Sequence, residues 1–128
     1  MKIQKNIEWL KIFIDSVDDL VPLHKVKRVM GYKVSAKKEE GGYASIVRTG
    51  NKYSINLKLT NNYREKGKRL RRNTHLATIL ESLAHELGHI HFWEHDSDHF
   101  ELTGKILVRF SKVMKKIGVK NTYGRIKF

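Results

Sequence analysis

The stretch His85-Glu86-Leu87-Gly88-His89 puts two histidines four positions apart, with a glutamate directly after the first. Residues four apart lie one above the other on a helix face, so the two imidazoles can converge on one metal ion while Glu86 sits beside it. The surrounding pattern supports a helix. Asn73 or Thr74 is a suitable cap, and Leu76, Ile79, Leu80, Leu83, Leu87 and Ile90 form an apolar stripe at spacings of three and four. His85 and His89 lie off that stripe, on a second face with Thr78, Glu81 and Ser82, and are expected to face a cleft rather than the core. The chain continues Ile90-His91-Phe92-Trp93-Glu94-His95-Asp96-Ser97-Asp98-His99-Phe100, so five of the 7 histidines fall in this one region. Helical periodicity fails between Trp93 and Asp96.

With no cysteine anywhere, thiolate metal sites and disulfides are both excluded, and any metal must be held by His, Asp or Glu. A hydrolytic zinc site needs neutral imidazoles on a rigid element, a third protein ligand, an open position for water and a carboxylate to take the water's proton. His85, His89 and Glu86 supply three of these parts. His91, His95, His99 and Glu101 are the candidates for the remaining ligand. His91, two residues past His89, points off the ligand face. His95 is preferred, because it lies six beyond His89, where the helix ends and the chain can turn back. Glu101 comes second and His99 third.

The rest of the chain reads as an α+β scaffold for that helix, with residues 1–128 forming a single domain. Ile3, Ile7, Leu10, Ile14, Val17 and Val21 predict an amphipathic helix over residues 3–21, ended by Pro22. Lys25 to Val34 suits a strand, with Gly31 marking a bulge. Tyr43 to Thr49 and Tyr53 to Leu59 form an antiparallel hairpin about Gly50-Asn51. In its second arm Tyr53, Ile55, Leu57 and Leu59 alternate with Ser54, Asn56 and Lys58, giving one buried and one wet face. Thr60 to Asn73 reads as a loop. A C-terminal helix follows, capped by Asp98 with Glu101 and carrying Phe100, Ile106, Leu107, Phe110, Val113, Met114 and Ile117, and it ends near Gly118. Val119 to Phe128 form a short strand or an ordered arm. No signal-peptide pattern and no run long enough to span a membrane is present, so the expected compartment is the cytoplasm, with no membrane partner.

The formal charge of +13 favours polyanions. Arg64, Lys66, Lys68, Arg69, Arg71 and Arg72 concentrate it in the predicted loop, where they suit nucleic-acid phosphates or an acidic substrate, or form a solvated connection. A different class of function follows from this charge alone: a basic nucleic-acid-binding protein whose histidine site is structural or vestigial.

Around Leu83-Ala84-His85-Glu86-Leu87-Gly88-His89 the sequence resembles the zincin metallopeptidases. It looks most like the compact intracellular group containing the SprT-like, Spartan-like and YgjP-like proteins and the minigluzincins. The resemblance is specific over Ile79 to Leu107 and looser in the preceding hairpin and following helix. It implies a small zincin-like domain that hydrolyses peptide bonds by Glu-assisted attack of zinc-bound water. By similarity His85 and His89 bind zinc, Glu86 is the general base, and His95 is the third ligand, as in YgjP-like proteins with the same spacing. Tyr53 to Leu59 would be the edge strand along which an extended peptide lies. Two departures stand out: Phe92 occupies the place where metzincins have glycine, and His99 stands where the SprT-like and YgjP-like patterns carry an aromatic residue. The same heptapeptide also looks like the ImmA/IrrE group, in which a downstream glutamate, here Glu101, would be the third ligand. Because Spartan-like proteases act on proteins attached to DNA, the resemblance and the charge together imply action on nucleic-acid-associated proteins.

Overall fold

The computed structural model describes residues 1–33, 44–59, 64–65, 68–69 and 72–117. The fold is α+β. A four-stranded sheet has the order β1-β2-β4-β3, built from β1 (Lys2–Ile3), β2 (Val26–Lys33), β3 (Ala44–Thr49) and β4 (Lys52–Leu59). β1 runs parallel to β2 and β2 parallel to β4, so antiparallel pairing in this sheet is confined to the β3–β4 hairpin. Thr49 pairs with Lys52 across a turn in which Gly50 has φ +64°, a conformation that glycine adopts without steric cost. Tyr53, Ile55 and Leu57 are buried, as their alternation predicts.

Strand order corrects one expectation. β4 is flanked by β2 and β3, so Tyr53 to Leu59 is an internal strand, and β3 forms that edge of the sheet. Alternating hydrophobicity reports which face of a strand is buried but carries nothing about the parallel crossover that brings β2 alongside β4. The irregularity in β2 also lies elsewhere than expected: the register shifts between Val26 and Arg28, while Gly31 pairs regularly with Leu57.

The N-terminal stretch is not one helix. It comprises β1, a 3₁₀ segment Lys5–Leu10, the short helix α1 (Lys11–Asp15) and a series of turns up to Pro22. Gln4 makes the break. Its backbone N–H donates to the Val29 carbonyl at 3.0 Å and its side-chain oxygen accepts from the Gly31 N–H at 2.7 Å, drawing the preceding residues into the sheet. Ile7, at φ −123° and ψ 19°, departs from helical geometry. The apolar stripe survives because 3₁₀ and α turns both bring residues three or four apart to the same side. Ile7, Leu10, Ile14, Val17 and Val21 are all buried.

Two two-residue strands, β5 (Arg64–Glu65) and β6 (Lys68–Arg69), pair antiparallel within the segment expected to be a loop. Apart from the backbone of Arg64, Lys68, Arg69 and Arg72, the basic cluster with Lys66 and Arg71 lies outside the described residues, as does the tail from Gly118. Two long helices complete the fold: α2 (Arg72–His91) packs on β3 and β4, and α3 (Ser97–Ile117) packs on α2. Ile79, Leu80, Leu83, Leu87 and Ile90 of α2 are buried, with Leu102, Ile106, Phe110, Val113 and Met114 of α3. Phe100 falls outside that stripe and is 81% exposed. Phe13 meets Phe110 edge to face at 5.6 Å, which joins α1 to α3 through the core. On the surface of the same junction, Arg109 grips both carboxylate oxygens of Asp19 at 2.8 and 3.1 Å and donates to the Ser16 carbonyl at 2.6 Å. Among the described residues no helix is long and apolar enough to cross a membrane.

Candidate metal centre

The site forms where α2 ends and the chain doubles back into α3. The start of α3 is fixed by Asp96, whose carboxylate accepts the His99 backbone N–H at 2.9 Å. Asp96, rather than Asp98, is therefore the helix cap, and the reversal it terminates swings His95 back over the last turns of α2.

Three ring nitrogens meet there. His85 Nε2 lies 3.1 Å from His89 Nε2 and 3.1 Å from His95 Nε2, and the latter two are 2.9 Å apart. Each Nε2 offers either one proton or one lone pair, so at most one edge of this triangle can be a two-centre hydrogen bond. Nitrogens held about 2.0–2.1 Å from a common tetrahedral ion would be roughly 3.3–3.4 Å apart, a few tenths wider than the spacing seen. An all-imidazole donor set of this size fits a borderline metal ion such as zinc.

Hydrogen bonding fixes one tautomer. His89 Nδ1 lies 3.2 Å from the Phe92 carbonyl, which can only accept, so Nδ1 carries the proton and the Nε2 lone pair faces the other imidazoles. Burial, followed by the charge of His99, lowers the pKa of His89, an effect that the Phe92 carbonyl partly opposes. His85 is driven down to about 4, first by burial and then by the neighbouring His89, His99 and His95. In both rings burial favours the neutral form, which is the form a metal requires. Glu86, only 7% exposed, moves the other way, pushed up to about 7 by burial. Of the two histidines expected to face a cleft rather than the core, His85 is half-buried and His89 is buried, as is the neighbouring Glu86.

His85, His89 and His99 are also close enough together to hold a metal ion, with ligand atoms within 4.8 Å of one another. That spread is looser than the triangle containing His95, and His99 Nε2 is already engaged, which leaves only its Nδ1 lone pair for an ion. The Nε2 lies 2.9 Å from the His85 carbonyl, to which it must donate. The other two candidates are not part of the triangle. His91 and Glu101 are exposed and line a separate cavity of about 360 Å³ with Phe92, Leu102 and Asp19, and Glu101 pairs with Lys105 at 3.5 Å.

Sequence reasoning missed the aromatic flank. The Trp93 ring lies 6.0 Å from that of His89 and 6.0 Å from that of Tyr53, linking the α2 terminus to β4. It also missed the lodging of His99 against Gly88. A signal for that was available, since a glycine inside a helix of good helix formers marks a close approach.

Comparison of the chain with known protein families, with curated proteins and with solved structures finds no match.

Proposed function

We propose that this chain is a zinc-dependent metallopeptidase in which His85, His89 and His95 hold the metal and Glu86 is the general base. The observation that carries the reading is the Nε2 triangle of 2.9–3.1 Å, built on a helix whose next residue after His85 is a buried glutamate. When bound, zinc would polarise the scissile carbonyl and lower the pKa of a water molecule in its open position towards ~7. The chain's own residues supply the rest. Glu86, with a proton affinity near neutrality, can accept a proton from the attacking water and return it to the departing amine. The Phe92 carbonyl keeps the His89 lone pair on the ligand side. The motif, its helical setting and the returning His95 support the zincin reading, with the small SprT-like and YgjP-like proteins as the nearest pattern.

The test is Glu86→Gln in the full chain. The variant should bind zinc as the parent does and lose hydrolysis of an unfolded protein substrate. Hydrolysis that survives the substitution removes Glu86 from its role, and a parent chain that takes up no zinc removes the metal reading altogether.

A second reading rests on the charge of +13: nucleic acid binding, either as the main activity beside a structural zinc site or as a means of reaching nucleic-acid-associated proteins. Steeply salt-dependent binding to DNA that persists in a His85→Ala, His89→Ala chain would favour the first form. Proteolysis stimulated by DNA and weakened by Arg71→Glu with Arg72→Glu would favour the second.

A further inference from the structure

Behind the ligand triangle sits a fourth histidine with an unusual set of contacts. His99, on the first turn of α3, is 4% exposed. Its ring lies face to face with that of His89, centroids 4.1 Å apart and planes 21° apart, and meets the His85 ring edge-on at 4.6 Å. Its Nε2–H donates to the His85 carbonyl at 2.9 Å. One side chain therefore touches the backbone of one ligand and the ring of the other.

The space it fills is supplied by Gly88. A Cβ at that position would stand 3.1 Å from His99 Nε2, 3.2 Å from His99 Cδ2 and 3.0 Å from Thr103 Oγ1. Thr103 in turn donates to the His99 carbonyl at 2.9 Å, fixing the α3 backbone behind the ring. Glycine in α2, histidine in α3 and the threonine one turn later thus form a single seat.

We propose that His99 is a positioning residue: by stacking on His89 and holding the His85 carbonyl, it sets the two helical ligands in the orientation that binds zinc, without coordinating the metal itself. The inference rests on the metal reading above. A hydrogen bond and a stacked ring restrict exactly the motions a free i, i+4 pair retains, namely ring rotation at His89 and local displacement of the backbone at His85. Groups in this relation to metal ligands typically account for ten- to hundredfold in affinity.

The experiment compares zinc affinity, by competition with a chromophoric chelator, in the parent chain, in His99→Phe and in His99→Gln. Phenylalanine keeps the stacked ring and removes the N–H donor, whereas glutamine keeps a donor and removes the ring, so either variant carries the test if the other fails to fold. Each should bind zinc about tenfold or more weakly. The thermal midpoint should fall further with zinc present than without it, since a purely structural residue would lower both equally. Cobalt(II) loaded into each variant should keep the band positions and intensity of the parent, because the ligands are unchanged. Affinities within twofold of the parent overturn the proposal, as does a cobalt spectrum showing that a nitrogen donor has been lost. A parent chain that binds no zinc overturns this proposal together with the metal reading, whereas normal zinc binding by both variants leaves that reading standing.

Discussion

His89 and His95 are six residues apart in the chain, and their Nε2 atoms lie 2.9 Å apart. The first belongs to the last turn of α2 and the second to the exposed reversal before α3, so one imidazole is buried and the other open to solvent. The difference separates the proposed metal binding from folding at these two positions.

His95→Ala should therefore leave the metal-free fold almost untouched, within about 0.5 kcal/mol, because an exposed loop side chain contributes little packing. Zinc affinity should collapse by about a hundredfold or more. Glu101→Gln should leave affinity unchanged, as its carboxylate pairs with Lys105. Denaturant unfolding with chelator present, alongside chelator competition, measures both quantities. Equal loss in the two variants would mean that the third ligand has been misassigned.

The pH dependence of the metal-free chain has two opposed parts. Burial raises Glu86 from 4.5 to about 7, so the folded chain favours the protonated acid, and stability is lost as pH rises between those values. His85 is lowered from 6.5 to about 4, so the unfolded chain gains a proton that the folded one refuses, and stability is lost as pH falls across that interval. Glu86→Gln removes the first part only. Relative to the parent it should gain stability at pH 8 compared with pH 4.5, by on the order of 1 kcal/mol after allowing for solvent screening. Unfolding curves at the two pH values would reveal this, and an equal difference at both would contradict burial as the cause.

Trp93 provides an internal reporter. Its ring is 6.0 Å from that of His89, whereas Trp9 packs edge-on against Phe13 at 6.1 Å in the core. Copper(II) or cobalt(II) should quench part of the tryptophan emission at one equivalent, and Trp93→Phe should abolish that part while metal affinity stays within about threefold. Quenching that survives Trp93→Phe would place the ion elsewhere.

Much of this centre was legible in the sequence, for a reason particular to its residues. His85, Glu86 and His89 are related by helical geometry alone, and His95 needs only that the helix stop where its periodicity does. The same arithmetic selects Asp98 with Glu101 as the cap of α3, but Asp96 stands equally three residues before a polar residue, and Asp96 with His99 is what forms. Nor could it separate one N-terminal helix from a strand, a 3₁₀ segment and a short helix, because spacings of three and four suit all the helical forms. The internal position of β4 depends on a crossover between distant segments, which no local pattern encodes.

Gly88→Ala examines the meeting of α2 and α3 without touching a ligand. Alanine is favoured over glycine in a helix by about 1 kcal/mol, while its Cβ would crowd His99 and Thr103 at 3.0–3.2 Å. The two effects should nearly cancel in the metal-free midpoint, leaving stability within about 1 kcal/mol of the parent. Zinc affinity should fall several-fold, as the His99 ring is displaced. A variant that is more stable and binds zinc normally would show that α3 shifts freely to admit the methyl group.

The imidazoles gathered at this centre, from His85 to His99, come from one uninterrupted piece of chain, whereas the sheet beneath it is assembled from β1, β2, β3 and β4, drawn from far-apart parts of the sequence. Bringing the imidazoles together involves closing only one short loop, a small entropic cost beside that of the parallel crossovers. This histidine-rich corner can therefore be among the first parts of the molecule to organise. An ion captured there during folding would hold α2 against α3 while the strands were still finding their partners.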